Sequence, residues 1–159
     1  MQNKQKGFSL IELLIVVAII LIIAAIAIPN LLRSKMAANQ ASAVASLRTL
    51  NTSSVLFNTN YGIYPATLAA LGPVGSGVAP SSALADMVDS TLAGANAAPG
   101  KSGYIFTWAV PATNGQAYSI NADPTTTSTG QIHYYTDASL VIRSNSSVAA
   151  TSGDNPIGN

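Results

Sequence analysis

Glu12, a single carboxylate at the start of a long apolar run, has the clearest chemical role of any residue in this chain. The sequence Gly7-Phe8-Ser9-Leu10-Ile11-Glu12 leads directly into residues 13–28, which carry no charge. A carboxylate inside a membrane segment costs about 2.5–3.5 kcal/mol on insertion scales, so such a group usually has a specific partner. We therefore expect Glu12 to pair with a cation, and the apolar run itself provides none.

Other residues capable of chemistry are few. His133 is the only histidine and the chain has no cysteine, which excludes thiolate metal sites, disulfides and cysteine nucleophiles. Asp123 and Asp137 each follow a predicted strand and, together with loop carbonyls, are weak candidates for binding calcium. The alternative is that each carboxylate bonds to its own turn backbone. Because no catalytic constellation emerges, we predict that the chain is not an enzyme and uses no cofactor.

Length and charge exclude other classes of function. Only 8 % of the 159 residues are charged and the net charge is +1, so there is no concentrated basic patch of the kind that binds nucleic acid. A chain of this length accommodates a membrane segment and one small domain. We therefore expect no nucleic-acid partner and no second globular domain.

Residues 8–28 are predicted to form a transmembrane helix, because about 20 apolar residues at about 1.5 Å rise each span a hydrocarbon core about 30 Å thick. Lys4 and Lys6 precede the segment, so the positive-inside rule places the short N-terminal start in the cytoplasm. Two alternatives remain. Ala25-Ile26-Ala27 fits the cleavage site of a secretory signal peptide, which would release a soluble binding domain. The segment can also serve as an uncleaved single-span anchor.

The residues from Gly7 to Glu12 resemble the processing site of type IV prepilins and of the pseudopilins of type II secretion systems. The resemblance implies that a dedicated inner-membrane peptidase removes residues 1–7 as a leader by cutting after Gly7. It also implies that the same enzyme methylates the new N-terminal amine of Phe8. Glu12 then stands where the family has its glutamate, and Pro29 where pilins often carry proline.

Cleavage would give Glu12 the cation that the sequence lacks. The new amine on Phe8 is positive, and the Glu12 carboxylate of a neighbouring subunit can pair with it where the dielectric is low. The alternative is that the Glu12 carboxylate lies in the phospholipid headgroup region. Under the first interpretation, the processed chain is a subunit whose assembly depends on Phe8 and Glu12.

The resemblance also implies a function and a location. The chain would be a structural subunit of a type IV pilus, stored in the bacterial inner membrane as a single-pass precursor and then assembled into an extracellular or periplasmic helical filament of identical subunits. Its partners would be the prepilin peptidase and methyltransferase and an inner-membrane assembly platform with its motor. The nearest alternative is the major pseudopilin of a type II secretion system.

Helical periodicity continues after Pro29 as an amphipathic helix over residues 29–61. Proline removes a backbone donor, so we expect a kink or a locally melted stretch over residues 24–31. The alternative is that Pro29 marks the membrane boundary. One narrow stripe of this helix is predicted to pack on a sheet; it comprises Met36, Gln40, Ala43, Leu47, Leu50, Ser54, Phe57 and Tyr61.

The rest of the chain is predicted to complete an α+β fold, in which the long N-terminal helix, membrane-spanning in its lower half, packs on a small antiparallel β-sheet similar to that of pilins. Residues 62–102 are predicted to be a variable loop region with a short helix from about Ala83 to Leu92. Period-two patterning over residues 103–143 predicts a four-stranded meander with a turn at Asn114-Gly115. Residues 144–159 are predicted to be a loose tail. The four predicted strands are Tyr104–Val110, Gln116–Ala122, Gln131–Thr136 and Leu140–Arg143.

Overall fold

The structure is a computed structural model that describes residues 8–111 and 115–158. The chain divides into two compact units, Met1–Lys35 and Met36–Asn159. One helix, α1 (Leu10–Tyr61), begins in the first unit and ends in the second. The predicted leader, including Gly7, and Asn114 of the predicted hairpin turn lie outside the described residues.

In the first unit, α1 is apolar and exposed on every face. It is long and apolar enough to cross a membrane, and none of its most hydrophobic window is buried within the protein. The helix continues through Pro29, so the chain is not melted over residues 24–31, and a bend there stays a prediction. The side chain of Asn30 donates to the Ile26 carbonyl at 3.0 Å and gives that stretch an additional hydrogen bond.

In the second unit, α1 buries the predicted stripe. Ala43, Leu47, Leu50, Ser54 and Phe57 are buried, and the stripe residues on either side of them are partly buried. They join one apolar core with alternate residues of the sheet, where every second side chain points to the same face. These sheet residues are Tyr104, Phe106, Ile120, Ala122 and Tyr134. The predicted packing of the helix on the sheet is confirmed.

The sheet is a five-stranded antiparallel meander in which consecutive strands are neighbours. The predicted antiparallel sheet is confirmed, but the predicted number of four strands is wrong because the C-terminal region adds a fifth. The strands are β1 (Tyr104–Ala109), β2 (Ser119–Pro124), β3 (His133–Asp137), β4 (Arg143–Asn145) and β5 (Asn155–Pro156).

A buried polar cluster ties α1 to the sheet. The Asn51 amide donates to Thr136 Oγ1 at 2.9 Å and to the Leu140 carbonyl at 3.3 Å, and the Tyr118 hydroxyl donates to Asn51 Oδ1 at 3.0 Å. Asn51, Tyr118 and Thr136 are all buried. Because buried polar groups must find partners, these bonds fix the register of the helix against β2 and β3.

The region between the helix and the sheet differs from the prediction. The predicted helix from about Ala83 to Leu92 is wrong: α2 covers only Ser90–Ala93, and Asp89 caps it by accepting a hydrogen bond from the Leu92 N–H at 2.9 Å. Residues 85–88 instead donate their backbone N–H groups to carbonyls of residues 70–72. Asp86 has a positive φ of 56°, which is incompatible with a right-handed helix at that position.

The prediction of a loose tail is also wrong, because hydrogen bonds between polar side chains and the backbone hold this segment in place. Asp154 accepts hydrogen bonds from Asn145 Nδ2 at 2.8 Å and from the Thr151 N–H at 2.7 Å. Arg143 Nη1 donates to the Asp154 carbonyl at 2.8 Å. We call Arg143, Asn145, Thr151 and Asp154 the C-terminal clasp. It holds the end of the chain to the sheet in a protein that has no cysteine.

The clasp predicts a pH dependence. Hydrogen bonds from the backbone and hydroxyl of Thr151 hold the pKa of Asp154 below its usual value. The clasp therefore stabilises the fold above about pH 4, the range of an unfolded aspartate, and this contribution is lost as the pH falls through the lower folded pKa. We expect Asp154→Asn to lower the melting temperature at pH 7 and to make it less sensitive to acid below about pH 4.

Thermal unfolding of the full chain in detergent, followed by Trp108 fluorescence from pH 2 to 8, measures this effect. Asp86→Asn is the matched control, since Asp86 is exposed and asparagine tolerates its positive φ. A pH profile of Asp154→Asn that coincides with that of the wild type would contradict a stabilising role for the clasp.

Candidate functional site

The first turn of α1 gives Glu12 a partner that sequence reasoning missed. The helix begins at Leu10, so Ser9 is the N-cap residue and Glu12 the third helical residue. The backbone N–H of Ser9 donates to Glu12 Oε2 at 2.9 Å. This is the glutamate half of a capping box, and it also places a negative charge at the positive end of the helix dipole. The signal was present in the sequence as Ser9-Leu10-Ile11-Glu12, which has the capping-box spacing.

This geometry leaves one oxygen of the Glu12 carboxylate available to another group. Oε2 accepts the Ser9 N–H, whereas Oε1 accepts no hydrogen bond among the described residues. Phe8, the predicted start of the mature chain, is 74 % exposed. The partner that the structure adds is a backbone N–H and not a cation, and a cation can still approach the second oxygen.

The surface around this site is apolar and presents small residues further along the helix. Leu10, Ile11, Leu13 and Leu14 are all more than half exposed. Beyond Pro29, four alanines on the outer side of α1 are also exposed, and small residues of this kind allow helices to approach closely. They are Ala37, Ala38, Ala41 and Ala45.

The two calcium candidates do not meet. Asp123 lies opposite His133, and Asp123 Oδ1 and His133 Nδ1 are 2.6 Å apart. Asp137 pairs with Ser119 at the other end of the β2–β3 ladder. Burial alone would raise the pKa of Asp137, but hydrogen bonds from the hydroxyl and backbone of Ser139 hold it below its usual value. Across residues 8–111 and 115–158, no three metal-ligating side chains cluster. Asp137 instead accepts a hydrogen bond from the backbone of the turn that follows it, which is the alternative to calcium binding.

The helix and the sheet together define a class of protein: an α+β subunit with one exposed apolar N-terminal helix and a capped glutamate in its first turn. Residues 2–28 match the prokaryotic N-terminal methylation motif. The type IV wide pilus major component PilA4 of Thermus thermophilus is 36% identical over 89 residues, which cover 56% of this chain and 68% of that protein. The chain therefore belongs to the family of type IV pilins and type II secretion pseudopilins.

Two further relatives represent both branches of the family. The type II secretion system core protein G of Vibrio cholerae is 38% identical over 65 residues, or 41% of this chain and 44% of that protein. The type IV major pilin protein PilA of Myxococcus xanthus is 48% identical over 54 residues, or 34% of this chain and 24% of that protein.

The matched part of this chain spans about half the length of the type II secretion relatives or less. No solved structure matches the chain. The methylation motif and the exposed apolar helix fit a precursor that is anchored in the inner membrane and assembles into a filament.

Proposed function

We propose that this chain is the structural subunit of a type IV pilus filament. The observation that carries the proposal is the first half of α1, a membrane-length helix with no buried surface in the single subunit. Such a helix must be covered by lipid before assembly and by other helices after it. Because lipid supplies no hydrophobic driving force between helices, close packing of small residues of the apolar run, such as Ala18 and Ala25, would favour association.

Processing and assembly would use the site residues in a defined order. Prepilin peptidase would cut between Gly7 and Phe8, and its methyltransferase activity would methylate the Phe8 amine. Glu12 Oε2 would keep its hydrogen bond from the Ser9 N–H, while Oε1 would accept a hydrogen bond from the charged Phe8 amine of a neighbouring subunit. Pro29 would provide the position at which the packed helices bend. An inner-membrane platform and motor would drive the addition of subunits.

Mass spectrometry of the purified mature protein tests the processing step. We expect a mature chain that starts at N-methylated Phe8, because the bond before Phe8 lies at the family's cleavage position and Phe8 itself is exposed. A mature start at Ile28 would instead establish signal-peptide cleavage and a secreted soluble domain. An intact N-terminus beginning at residue 1 would indicate an uncleaved anchor, and both outcomes would overturn the proposal.

The second candidate function is that of the major pseudopilin of a type II secretion system. It is favoured by the several relatives named core protein G, including those of Dickeya chrysanthemi and Vibrio cholerae. Electron microscopy of cells that express the chain, compared with a deletion strain, separates the two. Long external fibres that disappear on deletion support the pilus, whereas loss of exoprotein secretion without external fibres supports the pseudopilus.

A further inference from the structure

Arg33 and Lys35, at the C-terminal end of the first unit, are cations without a partner. Both are exposed, and neither side chain makes a hydrogen bond or an ion pair with a described residue. Among residues 8–35 the only carboxylate is that of Glu12, and at about 1.5 Å per residue it lies about 32 Å from Arg33 along α1. No described residue of the first unit can therefore neutralise either cation.

The helix surface remains apolar up to Arg33. Leu31 and Leu32 are each at least half exposed, so both need a cover other than water. Asn30 lies just before them, and its amide donates to the Ile26 carbonyl at 3.0 Å, which satisfies one of its donors within the helix. Polar groups that bond within the same helix are tolerated in lipid, as is a proline. The residues just before Arg33 therefore suit lipid, as residues 13–28 do.

The spacing of the charges in the first unit matches the thickness of a bilayer. The rise of about 32 Å from Glu12 to Arg33 is close to the thickness of the hydrocarbon core, which is about 30 Å. When the Glu12 carboxylate lies at one boundary of the hydrocarbon, Arg33 lies at the other boundary, where the lipid phosphates begin. A boundary at Pro29 would instead leave the exposed side chains of Leu31 and Leu32 in water.

The two cations lie on different sides of the helix. At about 3.6 residues per turn, Arg33 and Lys35 are about 160° apart around the axis of α1. A single neighbouring helix cannot cover both, whereas lipid headgroups surround the helix on all sides. A guanidinium group binds phosphate through two parallel hydrogen bonds, and an ammonium group binds it as a point charge. The charge and the arrangement of these residues therefore fit lipid phosphates better than one carboxylate of a partner chain.

We propose that Arg33 and Lys35 bind the phosphates of lipid headgroups on the non-cytoplasmic side of the inner membrane, so that the lipid-covered part of α1 runs from Glu12 to Leu32. The two contacts would fix the depth at which the precursor is held before assembly. This lipid site goes beyond the proposed filament function and does not rest on it, since it requires only a precursor that is anchored in the membrane.

Solid-state NMR detects the phosphate contact directly when the full chain is reconstituted in vesicles of phosphatidylethanolamine and phosphatidylglycerol, because lipid phosphates are then the only source of phosphorus. The chain has three arginines, Arg33, Arg48 and Arg143, and their guanidinium carbons are isotopically labelled. We expect phosphorus to dephase about one third of the guanidinium signal, as for one arginine in three, and Arg33→Gln to abolish this dephasing. Arg48→Gln is the matched control, since Arg48 is exposed on the same helix in the second unit, and it should retain the dephasing.

The depth of the helix provides a second readout. Because the chain has no cysteine, a nitroxide can be attached at one introduced cysteine, and its collisions with oxygen and with a water-soluble nickel complex report lipid and water. We expect the label at Leu32→Cys to favour oxygen and the label at Ala38→Cys to favour nickel. Combining Arg33→Gln with Lys35→Gln should lower nickel access at Ala38→Cys by at least about 2-fold, because the helix can then sink deeper.

Three results would overturn the proposal. They are the absence of dephasing in the wild type, dephasing that persists in Arg33→Gln, and a label at Leu32→Cys that the nickel complex reaches as readily as one at Ala38→Cys. Circular dichroism establishes that each variant is folded. Because single subunits are measured at a low ratio of protein to lipid, failure here leaves the filament function untouched.

Discussion

Glu12→Ala is expected to leave cleavage after Gly7 largely intact and to reduce filaments by at least about 100-fold. The substitution removes the acceptor of the Ser9 N–H, a capping interaction of about 1 kcal/mol, and also the charge that would meet a neighbouring amine. Removing one partner of a buried ion pair costs about 3–5 kcal/mol. Under the proposed assembly each added subunit would form another such pair, so the loss would recur at every step. Quantitative immunoblotting of sheared filaments against total processed subunit measures the effect.

Glu12→Gln separates the two contributions. Glutamine keeps an oxygen that can accept the Ser9 N–H but lacks the negative charge, so assembly should fall nearly as far as in Glu12→Ala if charge pairing dominates. Asp86→Asn is the matched control, because it removes an exposed carboxylate from the second unit and asparagine tolerates the positive φ at this position. Abundant filaments from Glu12→Ala would defeat the pairing hypothesis, and normal filaments from Glu12→Gln alone would assign the role of Glu12 to helix capping.

Asn51→Leu is expected to have the largest effect on the stability of the second unit. Leucine has the same branching at Cγ as asparagine, but it removes the partner of Thr136 Oγ1 and one of the partners of the Tyr118 hydroxyl inside the core. Each unsatisfied buried polar group costs about 1–3 kcal/mol, so the free energy of unfolding should fall by about 2–5 kcal/mol. Urea denaturation of the full chain in detergent, followed by circular dichroism, measures the change.

A combined variant distinguishes lost hydrogen bonds from poor packing. Adding Tyr118→Phe and Thr136→Val to Asn51→Leu removes the orphaned polar groups, and we expect this triple variant to recover part of the lost stability. Asn60→Leu, at an exposed position on the same helix, is the matched control and should change stability by less than about 0.5 kcal/mol. If Asn51→Leu unfolds at the same urea concentration as Asn60→Leu, the cluster does not stabilise the fold.

The sequence predicts the elements whose signal repeats over many residues. The stripe from Met36 to Tyr61 recurs through seven turns of helix, and its central members are buried in the structure. The alternation in β1 is equally clear, and its observed end at Ala109 lies one residue from the prediction. Such patterns are reliable because each additional residue repeats the same packing constraint.

Short elements that depend on distant partners could not be predicted. β5 has two residues, and it exists because Asp154 and Arg143 bond across the end of the sheet. No local periodicity marks such an element. The predicted helix from about Ala83 to Leu92 failed for a related reason: backbone donors of this stretch are used by carbonyls near Leu71, a pairing that propensity does not encode.

The candidate site was predicted in part. The apolar run and the processing motif predict roles for Glu12 and Phe8 that stay predictions, whereas the hydrogen bond from the Ser9 N–H to Glu12 was missed because it joins the carboxylate to a backbone group and not to a cation. Asp123 and Asp137 were grouped because each follows a strand. In an antiparallel hairpin, however, the C-terminal ends of successive strands lie at opposite ends of the ladder that joins them.

The meander order of the sheet has a consequence for how the chain folds as it is made. Because β1 to β5 are neighbours in the same order as they are synthesised, each strand can pair with the one before it as soon as it becomes available. Such local pairing closes short loops and folds quickly. The exposed edge moves along the sheet until β5 and Asp154 arrive last. An incomplete chain would therefore display an open β4 edge, a surface that proteases and chaperones can distinguish from a finished subunit.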